Sequence, residues 1–187
     1  MHQVLADTYK KFLAELGMVD TASTQVHPSG APFCWTIHQV VEHLLLSLRT
    51  SREEMEERLR KGRIARRAHR TRPEWLLQLM VLGVGYMPKG VPAPEETTPP
   101  AVLPMASGRE LALALERELE MMDATLDICR KRLGMERIGR HFLLGPMRID
   151  QWRRYHAVHL RHHLRQVRAI RQSTMVAVVH QRSVVNA

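Results

Sequence analysis

Apolar positions along this chain recur at steps of three and four, the spacing of amphipathic helices, and two-residue alternation is scarce. The clearest stripe is Leu111, Leu115, Leu119, Met122, Leu126, Cys129 and Leu133, which predicts a helix over 109–133 closed by Gly134. Val4, Leu5, Thr8, Phe12 and Leu16 predict a first helix over 3–16. Gly17, Pro28, Ser29, Gly30 and Pro32 break the pattern, so 17–34 reads as loop.

A second long helix is expected to start after Thr36. Thr36 and Gln39 form a capping-box pair, in which the hydroxyl and the amide each satisfy a backbone N–H that the first helical turn leaves free. Val40, Val41, Leu44, Leu45 and Leu48 carry it into a charged stretch that ends at Gly62, and Trp35 stands ready to pack on its start. Pro73 suits the first turn of a helix running to about Val84, with a backward extension through Ile64–His69. The Pro- and Thr-rich stretch from Gly85 to Pro104 is a long crossover connector. A loop over 140–146 precedes a last helix at about 151–171, with Asp150 as its N-cap. The expected fold is therefore all-α, a four-helix bundle with a long crossover and extra short helices. One domain covers 1–173, and 174–187 is a C-terminal tail whose Val-Ala-Val-Val run could dock.

The last helix carries the chemistry. At about 100° per residue, Trp152, His156, His159, His163, Gln166 and Ile170 lie within roughly 80° of one another. A stripe bounded by Trp and Ile faces a core, where imidazoles need partners. His159 and His163, one turn apart, can point a nitrogen at one divalent ion. The competing reading is of buried histidines bonded to backbone carbonyls. A third ligand would come from another helix, and periodicity allows His43, at the margin of its stripe, without requiring it. His156 is a hydrogen-bond donor to the site or an alternative ligand, and Gln166 has the same supporting place. His162 lies off the stripe, His38 and His69 read as surface residues, and His141 sits in a loop that could reach the site.

Composition narrows the classes. The chain has 187 residues, enough for one substantial core, with 44% hydrophobic and 5% aromatic residues. No apolar run reaches about 18 residues, so no membrane span is expected. The first residues lack the basic-then-apolar layout of a secretory signal, and Cys34 and Cys129 make no disulfide framework, so a cytoplasmic setting is expected. The net charge of +9 is spread along the chain, with one cluster at Arg60–Arg72 and another at Arg148–Arg171. Much of it reads as solvated helix surface. A nucleic-acid partner is disfavoured by the few aromatics and the absence of a recognisable motif.

Trp35-Thr-Ile-His-Gln-Val-Val-Glu-His43-Leu44 resembles the Trp-Ser-x-x-Glu…His-Leu signature of the DinB/YfiT-like superfamily. His159-Leu-Arg-His-His163-Leu-Arg-Gln166 resembles that superfamily's closing His-x-x-x-His-x-x-Gln helix. His141–Met147, Asp150–Trp152 and Met87–Pro94 resemble its uncharacterised branch, so the likeness spans about residues 3–172. Thr36 and Gln39 stand where Ser and Glu are usual and keep the capping chemistry. The resemblance implies a four-helix bundle with a three-histidine site made of His43, His159 and His163. It implies zinc or nickel as the ion, and in bacterial members transfer of a low-molecular-weight thiol or a thiol-dependent isomerisation.

Such a site leaves coordination positions open, as catalytic centres do, and would make a bound water or thiol more acidic. The expected function is a metal-dependent enzyme, thiol S-transferase-like or hydrolase-like. Its partner would be a small-molecule substrate, and Arg153, Lys89 and Arg148 would steer an anionic cosubstrate. The alternative is a non-catalytic, metal-stabilised bundle that acts in binding or in the stress response. A homodimer fits either.

Overall fold

The computed structural model describes residues 1–28, 31, 33–62, 70–88, 90–134 and 137–185; the side chains of Arg137 and of 175–185 are not described. The protein is predominantly helical with one small two-stranded sheet. In chain order come α1 (Gln3–Leu16), α2 (Thr21–Thr24), α3 (Ile37–Lys61), α4 (Arg72–Gln78), α5 (Gly108–Leu133), β1 (Arg137–His141), β2 (Gly145–Arg148) and α6 (Ile149–Val185). The packing is centred on α3 against α5 and α1 against α6, with α1–α5, α3–α6 and α5–α6 contacts closing the core. Among the described residues no helix is long and apolar enough to cross a membrane.

The predicted stripes form the core. Leu5, Phe12 and Leu16 of α1 are buried with Val40, Val41, Leu44 and Leu48 of α3. Leu111, Leu115, Leu119, Met122, Leu126 and Cys129 of α5 join them, as do Trp152, Val158 and Val167 of α6. The Thr36–Gln39 capping box forms, and Gly62 closes α3 in the left-handed conformation at φ 59°. Ser107 and Glu110 make an equivalent box on α5, and Thr71 and Glu74 on α4. At the next residue of α5, the Gly108 N–H donates to the Val19 carbonyl at 2.9 Å. A Cβ at Gly108 would stand 2.0 Å from the Leu16 carbonyl oxygen, so only glycine lets α5 start this close to the end of α1.

Several expectations are corrected. The 17–34 segment is not all loop, because Asp20 caps the short α2. Residues 140–146 are not a simple loop. β1 and β2 pair antiparallel, with Gly139 opposite Met147 and His141 opposite Gly145, and a bulge falls between Arg137 and Gly139. The fold is thus not purely α; the strands are too short to show alternation, and Ile138 and Met147 are buried as isolated anchors. After α4 the chain continues as a π-helical turn, Leu79–Val84, ended by Gly85 at φ 78°. Gln78 clamps this element to the hairpin, its amide donating to the carbonyls of Leu144 (2.6 Å) and Pro146 (3.1 Å).

Asp150 is not the N-cap of α6. It lies inside the first turn, paired with Arg148, whose own N–H is met by the Gln151 side chain. The α6 backbone runs on through Val185 instead of ending near 171. The proposed helical extension over 64–69, with His69, lies outside the described residues.

The long connector has a structural task. Between Gly85 and Ser107 it lies along α3, with a 3₁₀ turn at Glu95–Thr97. The Gln39 amide donates to the carbonyls of Pro100 and Ala101. The strap thereby covers the polar flank of α3 that helical periodicity alone leaves facing solvent.

Candidate metal centre

His43 sits two turns into α3, on the flank beneath the strap, and is buried. Its Nδ1 lies 2.8 Å from the Thr97 carbonyl oxygen. That contact makes Nδ1 the protonated nitrogen, since a carbonyl only accepts, and leaves Nε2 with a free lone pair. On α6, His163 Nδ1 lies 2.9 Å from Gln166 Oε1, one turn on, and the same reasoning frees its Nε2.

Both free nitrogens converge on a third. His43 Nε2 is 3.2 Å from His159 Nε2, and His163 Nε2 is 3.0 Å from it. The ligand atoms of all three lie within 4.8 Å of one another, and the three side chains are buried. Nitrogens bound to one tetrahedral zinc at 2.0–2.1 Å would be about 3.3 Å apart, so the spacing suits a shared ion with little rearrangement. One imidazole proton cannot bridge three nitrogens well, whereas one cation satisfies all three lone pairs. The three buried histidines are close enough to hold a metal ion.

Electrostatics keep the donors ready. Burial holds His43, His159 and His163 below the usual histidine range, His163 at about 3, so each is neutral at physiological pH. Neutral imidazole is the form that binds a metal. His159 Nδ1 is buried with no hydrogen-bond partner among the described residues. The Tyr155 ring stacks on His159 at 5.4 Å between centroids with 22° between planes.

The triad lines a cavity of about 470 Å³ between α3, α4, the strap, the hairpin and α6. Trp35 packs on the His43 ring at 5.0 Å and forms part of its wall. That volume is in the range of small-molecule sites, and the lining is mostly apolar.

The family model that describes a protein family of unknown function, DUF1569, matches residues 13–170. The chain belongs to the DUF1569 family. No curated protein and no solved structure matches it. The matched span in this DUF1569 chain includes all three converging histidines, the strap and the hairpin.

The other sequence-selected residues fall in several places. Gln166 supports His163 as described. His156 is buried and stacks on Trp152, and its Nε2 has no partner among the described residues; it is not one of the three converging groups. His141 ends β1 and lines the cavity, and its Nδ1 accepts from the Leu143 and Leu144 N–H groups. His162 is half-buried and also lines the cavity. His38 is not a surface residue: it is buried, with Nδ1 2.9 Å from the Gln25 amide that follows α2.

The expected steering cations are corrected. Arg153 is buried and does not line the cavity, with Nε 2.7 Å from Asp123 and Nη2 2.8 Å from Asp127. Arg148 is exposed, pairs with Asp150 and does not line the cavity. Lys89 and much of the Arg60–Arg72 cluster lie outside the described residues. Arg140 lines the cavity instead and pairs with Glu74. Tyr155 and Arg140 were not singled out by sequence. Tyr155 had a signal, since it precedes His159 by one turn; Arg140 had none, because its place depends on the hairpin.

Proposed function

We propose that this protein is a metal-dependent enzyme whose resident divalent cation is held by His43, His159 and His163. The single observation that carries this reading is the convergence of three neutral imidazole Nε2 atoms on the wall of a substrate-sized cavity. A structural metal site is usually closed by four protein ligands, whereas three ligands facing a cavity leave room for a reactant. A divalent cation in this place supplies Lewis acidity and makes a water or thiol beside it more acidic. The chain's own residues fix the ligands: Thr97 and Gln166 orient His43 and His163, and Trp35 and Tyr155 pack on the imidazole rings.

The likeness to the DinB/YfiT-like superfamily supports a four-helix bundle of that type and thiol S-transfer as the first reaction class, with hydrolysis next. Zinc and nickel both suit three imidazoles. The test starts from chelator-stripped protein, assayed with small thiols plus electrophiles and with activated esters. Turnover that appears on adding zinc or nickel and is lost in His159→Ala supports the reading. Stoichiometric metal uptake with no turnover in either assay overturns it and leaves a metal-stabilised, non-catalytic bundle.

A further inference from the structure

The charges around the cavity narrow its ligand. Three neutral imidazoles bring no negative charge, so a divalent cation among them keeps its full charge inside a largely apolar cavity. Such a charge is costly unless an anion accompanies it. The described ligand set includes no carboxylate to play that part. A bound hydroxide would supply one, so a ligand that displaces that water must bring its own negative charge.

The rest of the described wall offers little to a second negative charge. Among the described lining residues the acidic and basic side chains other than histidine are Glu54, Glu96 and Arg140. Arg140 is committed to Glu74, and its backbone N–H donates to Glu54 at 3.0 Å. Glu54 also pairs with Arg58 at 3.5 Å. The described wall thus has no guanidinium free to clamp a distant carboxylate or phosphate. The lining as a whole is mostly apolar, with Trp35, Leu77, Val81, Leu144 and Trp152 in it, and uncharged Ser47, Thr50 and Ser51 line it along α3 between His43 and Glu54.

We infer that the cavity takes a monoanionic ligand with an uncharged, largely apolar body, its anionic head at the His43–His159–His163 triad and its body against Leu77, Val81 and Leu144. This rests on the metal reading above and goes further by naming the ligand class. It disfavours multiply charged thiol cosubstrates. With a thiol as ligand, the S–H bond breaks, the proton leaves to solvent and the sulfur electron pair enters the coordination sphere; nothing is oxidised or reduced.

The experiment uses the whole chain loaded with Co(II), whose ligand-field spectrum reports the imidazole site and whose near-ultraviolet charge-transfer band reports a bound thiolate. Ethanethiol, butane-1-thiol, hexane-1-thiol and 6-mercaptohexanoate are titrated in turn. The expected result is an affinity that rises about three- to fourfold per added methylene. At the same chain length, 6-mercaptohexanoate binds at least tenfold more weakly. Leu77→Asp is expected to bind Co(II) as wild type does and to lose the chain-length dependence. If affinity is indifferent to chain length, or 6-mercaptohexanoate binds as well as hexane-1-thiol, the ligand class is wrong while the metal site stands. If Co(II) gives no site spectrum, the metal reading itself has failed.

Discussion

His43 Nε2 lies 3.2 Å from His159 Nε2, although 116 positions separate the two residues in the chain. Neither nitrogen is there by accident of packing. The Thr97 carbonyl turns His43 so that its Nε2 faces inward, and the pitch of α6 stacks His159 over His163. The strap that supplies Thr97 thus contributes to the site without contributing a ligand.

The partners behind the imidazoles are expected to matter nearly as much as the imidazoles. Gln166→Ala removes the acceptor on His163 Nδ1 and is predicted to weaken zinc binding about 10- to 100-fold. Competition against a chromophoric chelator measures this, with unchanged helical circular dichroism showing that the fold is intact. An unchanged affinity would mean that His163 is oriented by packing alone.

Acid sensitivity is expected to come from the buried histidines. Burial holds His141 at about 4 and His156 at about 3, below the value of about 6.5 that each has in the unfolded chain. Between those values the unfolded chain binds protons that the folded chain refuses. Stability is therefore full above about pH 6.5 and is lost as pH falls toward 4 and then 3, by about 1.4 kcal/mol per pH unit for each such histidine. Urea midpoints of chelator-treated protein at pH 7.5, 6 and 5 should fall in that order. A flat profile over this window would show that these rings are protonated in the folded state.

Arg153 is predicted to be structural. With its guanidinium buried between Asp123 and Asp127, Asp123→Ala leaves a buried charge poorly matched and should cost about 3 kcal/mol in denaturant unfolding. Zinc affinity should not change, because neither Arg153 nor its carboxylate partners line the cavity that holds the triad. A loss of zinc affinity without a loss of stability would reverse that assignment.

The close start of α5 gives a sharper packing test. Gly108→Ala must displace backbone, not a flexible side-chain end, since the nearest atoms belong to the main chain of Leu16 and Val19. A destabilisation of about 1–3 kcal/mol is expected by chemical denaturation. A neutral result would mean that the α1–α5 junction yields easily.

What the sequence could reveal was what repeats along one helix. The stripes of α1, α3 and α5, the Thr36 cap and the His159–His163 pair all follow from local spacing. His43 was only marginal by periodicity, because its burial comes from the strap, a segment with no period of its own. The hairpin escaped because five- and four-residue strands are too short for alternation to stand out. Arg153 read as a free cation because its partners, Asp123 and Asp127, lie on another helix. His38 read as exposed for a similar reason: Gln25 and the buried surroundings of α3 become apparent only after folding. The contact of Gln166 with His163 is a local relation on one helix, three residues apart, and so lies within what spacing can suggest.

The most direct test of the account is calorimetric titration of metal-free protein with zinc, run beside His159→Ala. The account predicts one tight site per chain in the wild type and a loss of at least 100-fold in affinity in the variant, with other histidines leaving only weak uptake. A wild type that takes up no zinc or nickel, or a variant that binds as tightly as the wild type, would contradict it.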